Sequence, residues 1–370
     1  MKNGDRTPAI FICTKNAREP SSGGVQLYTR EILATIEVAG FAPTIVEYQP
    51  DRHPVTRLKR RLRPKPYANL LPPDLASRVA SRQRETQSLI IFLNGGDLAP
   101  LAGKLRPHLP DDTRIVLLSY GLDSVDFLHT VRARDEMTSA AARKLGEQQF
   151  AENRQRENID HVFCLAPFEA EIERWLGARK VDWLPRTLPP DQTLPWEPDR
   201  TRLGCVSTLD HPPNWEGLVL FLRALEPIAP ADTRFRLVGG PENRGRQLSE
   251  QFARVDYLGA LDDAALAAEA RTWSCFVHPL FCYARGCSTK LAVALGWRIP
   301  IVTTPAGARG YTWREGNLPL ADSPPALARL ALRMFDRVTA EEAREQIAFV
   351  AHSMPDRDEV AEKLRGALEE

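Results

Sequence analysis

Short apolar runs alternate with helix-patterned stretches along nearly the whole chain, and this constrains the fold more than any other feature of the sequence. The runs at 9–14, 44–48, 88–93, 114–119 and 161–165 are each strand-length and apolar on both faces. Helical periodicity fills 25–38, 73–85, a long polar stretch over 124–155, and 167–176. Strands apolar on both faces and separated by helices predict a parallel sheet covered on each side. Near 186–200 the pattern stops, and four prolines fall within Arg-Thr-Leu-Pro-Pro-Asp-Gln-Thr-Leu-Pro-Trp-Glu-Pro-Asp-Arg. Such a stretch reads as an interdomain linker. The alternation then restarts, with strands expected at 203–207, 234–238, 255–258, 275–278 and 300–303. Helices are expected over 214–228, 245–253, 263–273 and 288–297, then at 323–337, 340–352 and 356–369.

The expectation is an α/β chain of two Rossmann-like, doubly wound domains facing across a cleft. Residues 1–186 form the first, 187–200 the linker and 201–340 the second, with a C-terminal helix near 354–370 packing back on the first. A length of 370 residues suits two such cores. Charge is nearly balanced, 49 Lys+Arg against 48 Asp+Glu, so nothing global favours nucleic acid. The six cysteines are scattered without metal-ligand spacing and read as reduced thiols. No apolar segment is long enough to span a bilayer, and the N-terminus lacks the features of a signal peptide, so a cytoplasmic location is expected.

Two turns carry glycine where a strand passes into a helix. Gly23 and Gly24 follow the first strand, where paired glycines admit an anion to a helix N-terminus or simply make a tight turn. The second turn is sharper: Cys-Tyr-Ala-Arg-Gly-Cys-Ser-Thr-Lys runs from Cys282 to Lys290. Gly286 permits close backbone approach, and Ser288 and Thr289 supply capping hydroxyls or phosphate donors. Arg285 and Lys290 add two cations at a helix end that is already positive, an arrangement that suits an anion. A salt bridge to a distant carboxylate is the alternative. His278 closes the strand before this turn and reads equally as pocket lining or as a core histidine. His211 heads a helix at the end of the first strand of the second half, where it could meet sugar or phosphate.

The segment Gly286 to Lys290, its continuation Ala-Leu-Gly-Trp-Arg-Ile-Pro, and Thr303-Thr304…Gly307…Gly310 resemble the donor-binding segment of retaining GT-B glycosyltransferases, family 4 in particular. Gly204…Thr208…Pro213-Asn214…Gly217, Arg236-Leu-Val-Gly-Gly and Tyr257-Leu-Gly-Ala-Leu extend the resemblance over 202–315. The resemblance implies a nucleotide-diphosphate sugar as donor substrate with no separate cofactor, and since no DxD lies in a strand-end context, metal independence is expected. The backbone around Tyr257, Leu258 and Gly259 would meet the base. Thr208, His211, Gly239 and His278 would line the donor site. Arg285, Gly286, Cys287, Ser288, Thr289 and Lys290 would hold the diphosphate, with Gly23 and Gly24 approaching it from the first domain. The acceptor would be a glycan, glycolipid or lipid-linked molecule of surface polysaccharide biosynthesis, and the transferred sugar a hexose or deoxyhexose.

Two departures qualify this. The family's pair of glutamates, eight positions apart, falls on Arg285 and Val293, so ribose recognition has no assigned carboxylate. Tyr120 stands where the family commonly has a histidine near the reacting sugar, and a phenol is a poor base at neutral pH. Asp123 and Asp126 are candidate bases if configuration inverts, and helix caps otherwise. A catalytically inactive relative that binds nucleotide-sugars or a partner is the second reading. The run from Arg52 to Lys65 holds seven Lys/Arg and no acid, which suits an anionic membrane surface or a solvated loop.

Overall fold

A computed structural model describes residues 6–19, 23–50, 71–133, 135–189 and 192–369. The basic run at 52–65 lies outside the described residues. The chain divides into two compact units, Met1–Pro185 with Asp356–Glu370, and Arg186–Pro355.

The first unit holds strands β1 (Thr7–Thr14), β2 (Phe41–Tyr48), β3 (Ile90–Asn94), β4 (Arg114–Leu118), β5 (His161–Cys164) and β6 (Val181–Trp183). They form one sheet in the order β2-β1-β3-β4-β5-β6, and every pairing is parallel. Its helices are α1 (Gly24–Val38), α2 (Leu75–Thr86), α3 (Ala99–Leu105), α4 (Asp123–Ala133), α5 (Ser139–Arg156), α6 (Pro167–Trp175) and the C-terminal α13 (Arg357–Glu369). Alternate strand residues Ile10, Ile12, Ile91, Leu93, Ile115 and Leu117 join Leu75, Val79, Leu101 and Leu105 in one core. Phe11, Phe92, Val116 and Phe163, of opposite parity, are equally buried. Both faces are therefore covered, as parallel pairing demands.

The second unit contains β7 (Asp199–Thr208), β8 (Arg234–Gly240), β9 (Val255–Gly259), β10 (Trp273–His278) and β11 (Ile301–Thr303). Their order is β11-β10-β7-β8-β9, again all parallel. Helices α7 (Pro212–Leu225), α8 (Glu242–Gln251), α9 (Asp263–Ala270), α10 (Thr289–Trp297), α11 (Pro324–Arg333) and α12 (Arg337–Ser353) complete it. One face packs Leu203, Cys205, Leu237 and Val277 against Phe221, Leu225 and Leu327. The other packs Val238, Phe276 and Ile301 against Leu291, Leu295 and Ile347. Trp273 reaches across β7 only because residue 204 is glycine, since a Cβ there would lie 1.8 Å from the indole.

The structure adds detail to the sequence reading. The polar stretch 124–155 is two helices, broken where Asp135 takes a left-handed φ of 54° and where Thr138 caps α5 by accepting from Ala141 N at 3.2 Å. Strand β6 and helix α3 are additional. The proline-rich segment expected as a linker makes contacts along the second unit. Leu194 N donates to Trp297 O (3.1 Å), the Trp196 indole donates to Trp273 O (2.8 Å), and the Arg344 guanidinium lies over the Trp196 ring. All six cysteines are free thiols, four of them buried.

Candidate functional site

In a parallel sheet all carboxyl ends share one edge, and loops diverge where the strand order reverses, opening a crevice there. In the second unit the reversal falls between β7 and β10. The groups at that edge are Thr208, Gly239–Gly240, Gly259, His278 and Thr303, at the ends of β7 to β11. Beyond β7, Thr208 O accepts from Asn214 Nδ2 (3.0 Å), and His211 caps α7 through its carbonyl, which accepts from Asn214 N and Trp215 N. Helix α7 comes so close to the segment after β10 that a Cβ at Gly217 would meet Pro279 O at 1.9 Å.

The loop after β10 runs to α10, whose N-cap Ser288 makes no side-chain capping bond. Gly286 adopts a left-handed φ of 66°, the conformation that favours glycine. Among the described residues the first-turn amides of Thr289 and Lys290 have no protein acceptor. Two residues that the sequence reading did not assign hold this helix start in place. Tyr311 donates its hydroxyl to Ser288 O and accepts from Ala292 N (3.1 Å). Arg309, itself buried, donates to Ala306 O (2.7 Å) and to Arg285 O (3.0 Å). The Arg285 side chain is exposed. Cys287 accepts from Arg186 at 3.4 Å.

Lys290 is the most unusual group of the site. It is only partly exposed, burial drives its ammonium down to about 8, and among the described residues it has no carboxylate partner. No Asp or Glu occurs anywhere from Trp273 to Tyr311. A desolvated ammonium at the positive end of a helix is costly for the empty protein and is offset by a bound anion.

His278 beside it is buried. The Thr303 hydroxyl donates to His278 O (2.9 Å), so its own oxygen is left to accept from Nδ1–H at 3.0 Å. Burial, then the charges of Lys290 and Arg309, push the imidazole down to about 3. His278 is thus a neutral, tied histidine that also stands next to the site's cations. Gly307 makes room for the pair: a Cβ there would lie 2.3 Å from Thr303 Oγ1 and 2.8 Å from His278 Nδ1.

Farther along the same edge is a cavity of about 590 Å³, lined by Gly239–Glu242, Arg246, Ser249 and Tyr257–Ala260. Four residues singled out in the sequence, Gly239, Tyr257, Leu258 and Gly259, come together there. Tyr257 donates to Gly239 O (2.8 Å), and its ring rests on Gly245, where a Cβ would clash at 2.1 Å. Glu242 was missed because its helix begins three residues earlier than the apolar pattern suggests; Arg246 and Ser249 fall inside the expected helix, where nothing in the pattern singled them out.

In the first unit the strand order reverses between β1 and β3. Gly23 is the N-cap of α1 and Gly24 its first residue, with Gln26 tied to Asn16 O at 3.1 Å. Tyr120 belongs to a closed ring of hydrogen bonds. It donates to Asn94 Oδ1 (2.7 Å), Asn94 Nδ2 donates to Thr29 Oγ1 (3.0 Å), and the Thr29 hydroxyl lies 3.2 Å from Tyr120 Oη. Burial drives the phenol upward, so this group is a fixed neutral strut joining β3, β4 and α1. Asp123 opens α4, with Asp126 in the same first turn, where carboxylates favour a helix N-terminus. Glu152 receives Ser124 N (3.1 Å) and Ser124 Oγ (2.5 Å) at the same turn.

Among the described residues no three His, Cys, Asp or Glu side chains gather as a metal site, and no helix is long and apolar enough to cross a membrane.

Residues 200–337 match the family model described as glycosyl transferases group 1. No curated protein sequence matches the chain. Among solved structures, sucrose-phosphate synthase from Thermosynechococcus elongatus is similar at 18% identity and a TM-score of 0.68, covering 98% of each chain. HepE of Anabaena, in complex with UDP and glucose, is similar at 15% identity and a TM-score of 0.62, over 98% of this chain and 99% of that one. The lipopolysaccharide outer core galactosyltransferase WaaB is similar at 12% identity and a TM-score of 0.60 over the same shares. By fold the chain is of the GT-B kind, and its second unit carries the pattern of the group 1 glycosyl transferases over residues 200–337.

Proposed function

We propose that this chain is a glycosyltransferase that moves a hexose or deoxyhexose from a nucleoside-diphosphate donor to a glycan, glycolipid or lipid-linked acceptor of surface polysaccharide synthesis. The observation that carries the reading is Lys290, a desolvated ammonium without a carboxylate partner among the described residues, at a helix start whose amides also lack protein acceptors. These groups suit the oxygen of a departing β-phosphate, on which negative charge grows as the glycosidic bond breaks. Each fixed donor of this kind contributes about 3 kcal/mol to the transition state. Arg285 would add charge from the exposed side of the loop, and the cavity bordered by Gly239 and Tyr257–Gly259 would take the nucleoside. The UDP and glucose held by HepE and the lipopolysaccharide acceptor named for WaaB support a UDP-sugar donor and a surface-glycan acceptor.

Cationic and amide donors would do the work that a metal does elsewhere, so the reaction is proposed to be metal-independent. Retention of configuration is proposed as well. The departing phosphate oxygen would accept the acceptor's proton, which leaves no general base for the protein to supply. The neutral, locked state of Tyr120 agrees with that route. The basic run at 52–65 is proposed to rest on an anionic membrane surface at the cytoplasmic face.

Thermal shift and donor hydrolysis across UDP-, GDP- and dTDP-sugars test this reading, with and without EDTA. At least one nucleotide should stabilise the protein, and turnover should survive chelation. Lys290→Ala and Arg285→Ala should each weaken nucleoside-diphosphate binding. Unchanged affinity in both would refute the site.

A further inference from the structure

The transferase reading leaves the sugar ring of the nucleoside without an acceptor. The loop and helix at Lys290 contain no carboxylate, since the whole stretch from Trp273 to Tyr311 lacks Asp and Glu. A ribose presents a pair of hydroxyl donors, and an ionised carboxylate, which only accepts, suits such a diol.

Among the residues lining the cavity at the ends of β8 and β9, Glu242 is the sole carboxylate. It opens α8, two residues beyond the end of β8. Both contacts from Arg246 go to the same carboxylate oxygen, Nε to Oε1 at 2.9 Å and Nη2 to Oε1 at 2.5 Å. Its second oxygen, Oε2, has no protein partner among the described residues. The guanidinium therefore orients the carboxylate and leaves one acceptor open. The pair is exposed on both sides, and pairs of that kind hold weakly, so Glu242 is at liberty to turn toward a ligand.

We infer that Glu242, held by Arg246, receives the ribose hydroxyls of the donor nucleoside, and that the donor is therefore a ribonucleoside diphosphate rather than a deoxythymidine one. The inference rests on the transferase reading of the same site.

Calorimetric titration of the full chain with UDP, GDP, their 2′-deoxy counterparts and dTDP tests it. The wild type should bind the better ribonucleotide about tenfold tighter than its 2′-deoxy form, as expected for hydrogen bonds to a charged group. Glu242→Ala should bring the ribonucleotide down to the level of the deoxy form while leaving the deoxy form unchanged. Glu242→Gln, which keeps an acceptor oxygen, should restore part of the difference. Equal binding of ribo and deoxy forms by the wild type would overturn the assignment. So would a uniform loss on both in Glu242→Ala, which is what contact with the base would produce, or a preference for dTDP. In each of those cases nucleotide binding itself persists. A wild type that binds no nucleoside diphosphate at all would instead overturn the transferase reading, and this assignment with it.

Discussion

Lys290 has a pKa of about 8 in the folded chain against 10.5 for the free side chain, and the sign of its pH effects follows. Between those values the unfolded chain binds more protons than the folded one, so the stability of the ligand-free protein rises as pH climbs from about 8 to about 10.5. Lys290→Met removes the buried charge and should raise Tm at pH 7 by roughly 5 °C, with no further gain on going to pH 10. Diphosphate affinity runs the opposite way. It needs the ammonium, so Kd should be level below pH 8, rise about tenfold per unit above it, and lose that slope in Lys290→Ala. Scanning calorimetry at about pH 7 and 10 reads the first, and titration calorimetry between about pH 6.5 and 9.5 the second. Tyr120 belongs to a different kind of residue. Tyr120→Phe leaves buried Asn94 without its donor, which should cost about 1–3 kcal/mol in the first unit. If the residue is a strut, chemical denaturation registers that loss, and donor hydrolysis under native conditions changes less than tenfold.

At the scale of elements, Gly307 shows how a loop after a short strand can decide the shape of a site. Alanine there would press on Thr303 Oγ1 and His278 Nδ1, which are bonded to each other, so the loop from 304 to 311 must shift. Because Arg309 and Tyr311 on that loop hold the start of α10, Gly307→Ala should weaken nucleoside-diphosphate binding by about tenfold or more. Isothermal titration against a folded, circular-dichroism-matched wild type checks it.

The strands and most helices were legible because buried parallel strands and covering helices leave an apolar pattern that survives in a single sequence. The glycine turns at 23–24 and 286 were legible for the same local reason. What escaped depends on distance along the chain. The Asp135 break hides in a stretch with little apolar periodicity, and β6 is three residues long. The cavity at Glu242 draws its lining from the ends of β8 and β9 and from α8, segments that lie eighteen residues apart in the chain at Gly239 and Tyr257. Arg309 and Tyr311 act on backbone more than twenty residues away. The prolines of 186–200 marked a linker, and the partial burial of Leu194 and Trp196 against the second unit left no local signal in the sequence.

Across the whole molecule, the first unit is built from two separated pieces of chain, with α13 returning to it from beyond residue 355. Val360, Ala361, Leu364 and Leu368 of α13 are buried. The helix is also held by Arg114, which donates to Leu368 O, by Lys180, which donates to Ala367 O, and by Lys363 over the Trp183 ring. Burial of a leucine or valine side chain stabilises by about 2 kcal/mol, so removing residues 356–370 should destabilise the first unit by several kcal/mol. The second unit, 186–355, should keep its own unfolding transition, and differential scanning calorimetry would separate the two.

On the ribosome the same connectivity sets an order of events. Residues 1–185 precede the second unit in the chain, but the surface that α13 covers stays open until residues 357–369 have been synthesised. At bacterial-type elongation rates the intervening segment takes roughly 10–30 s to translate. Through that interval the nascent first half presents the bed of α13 uncovered, while the inserted half can complete its folding beforehand.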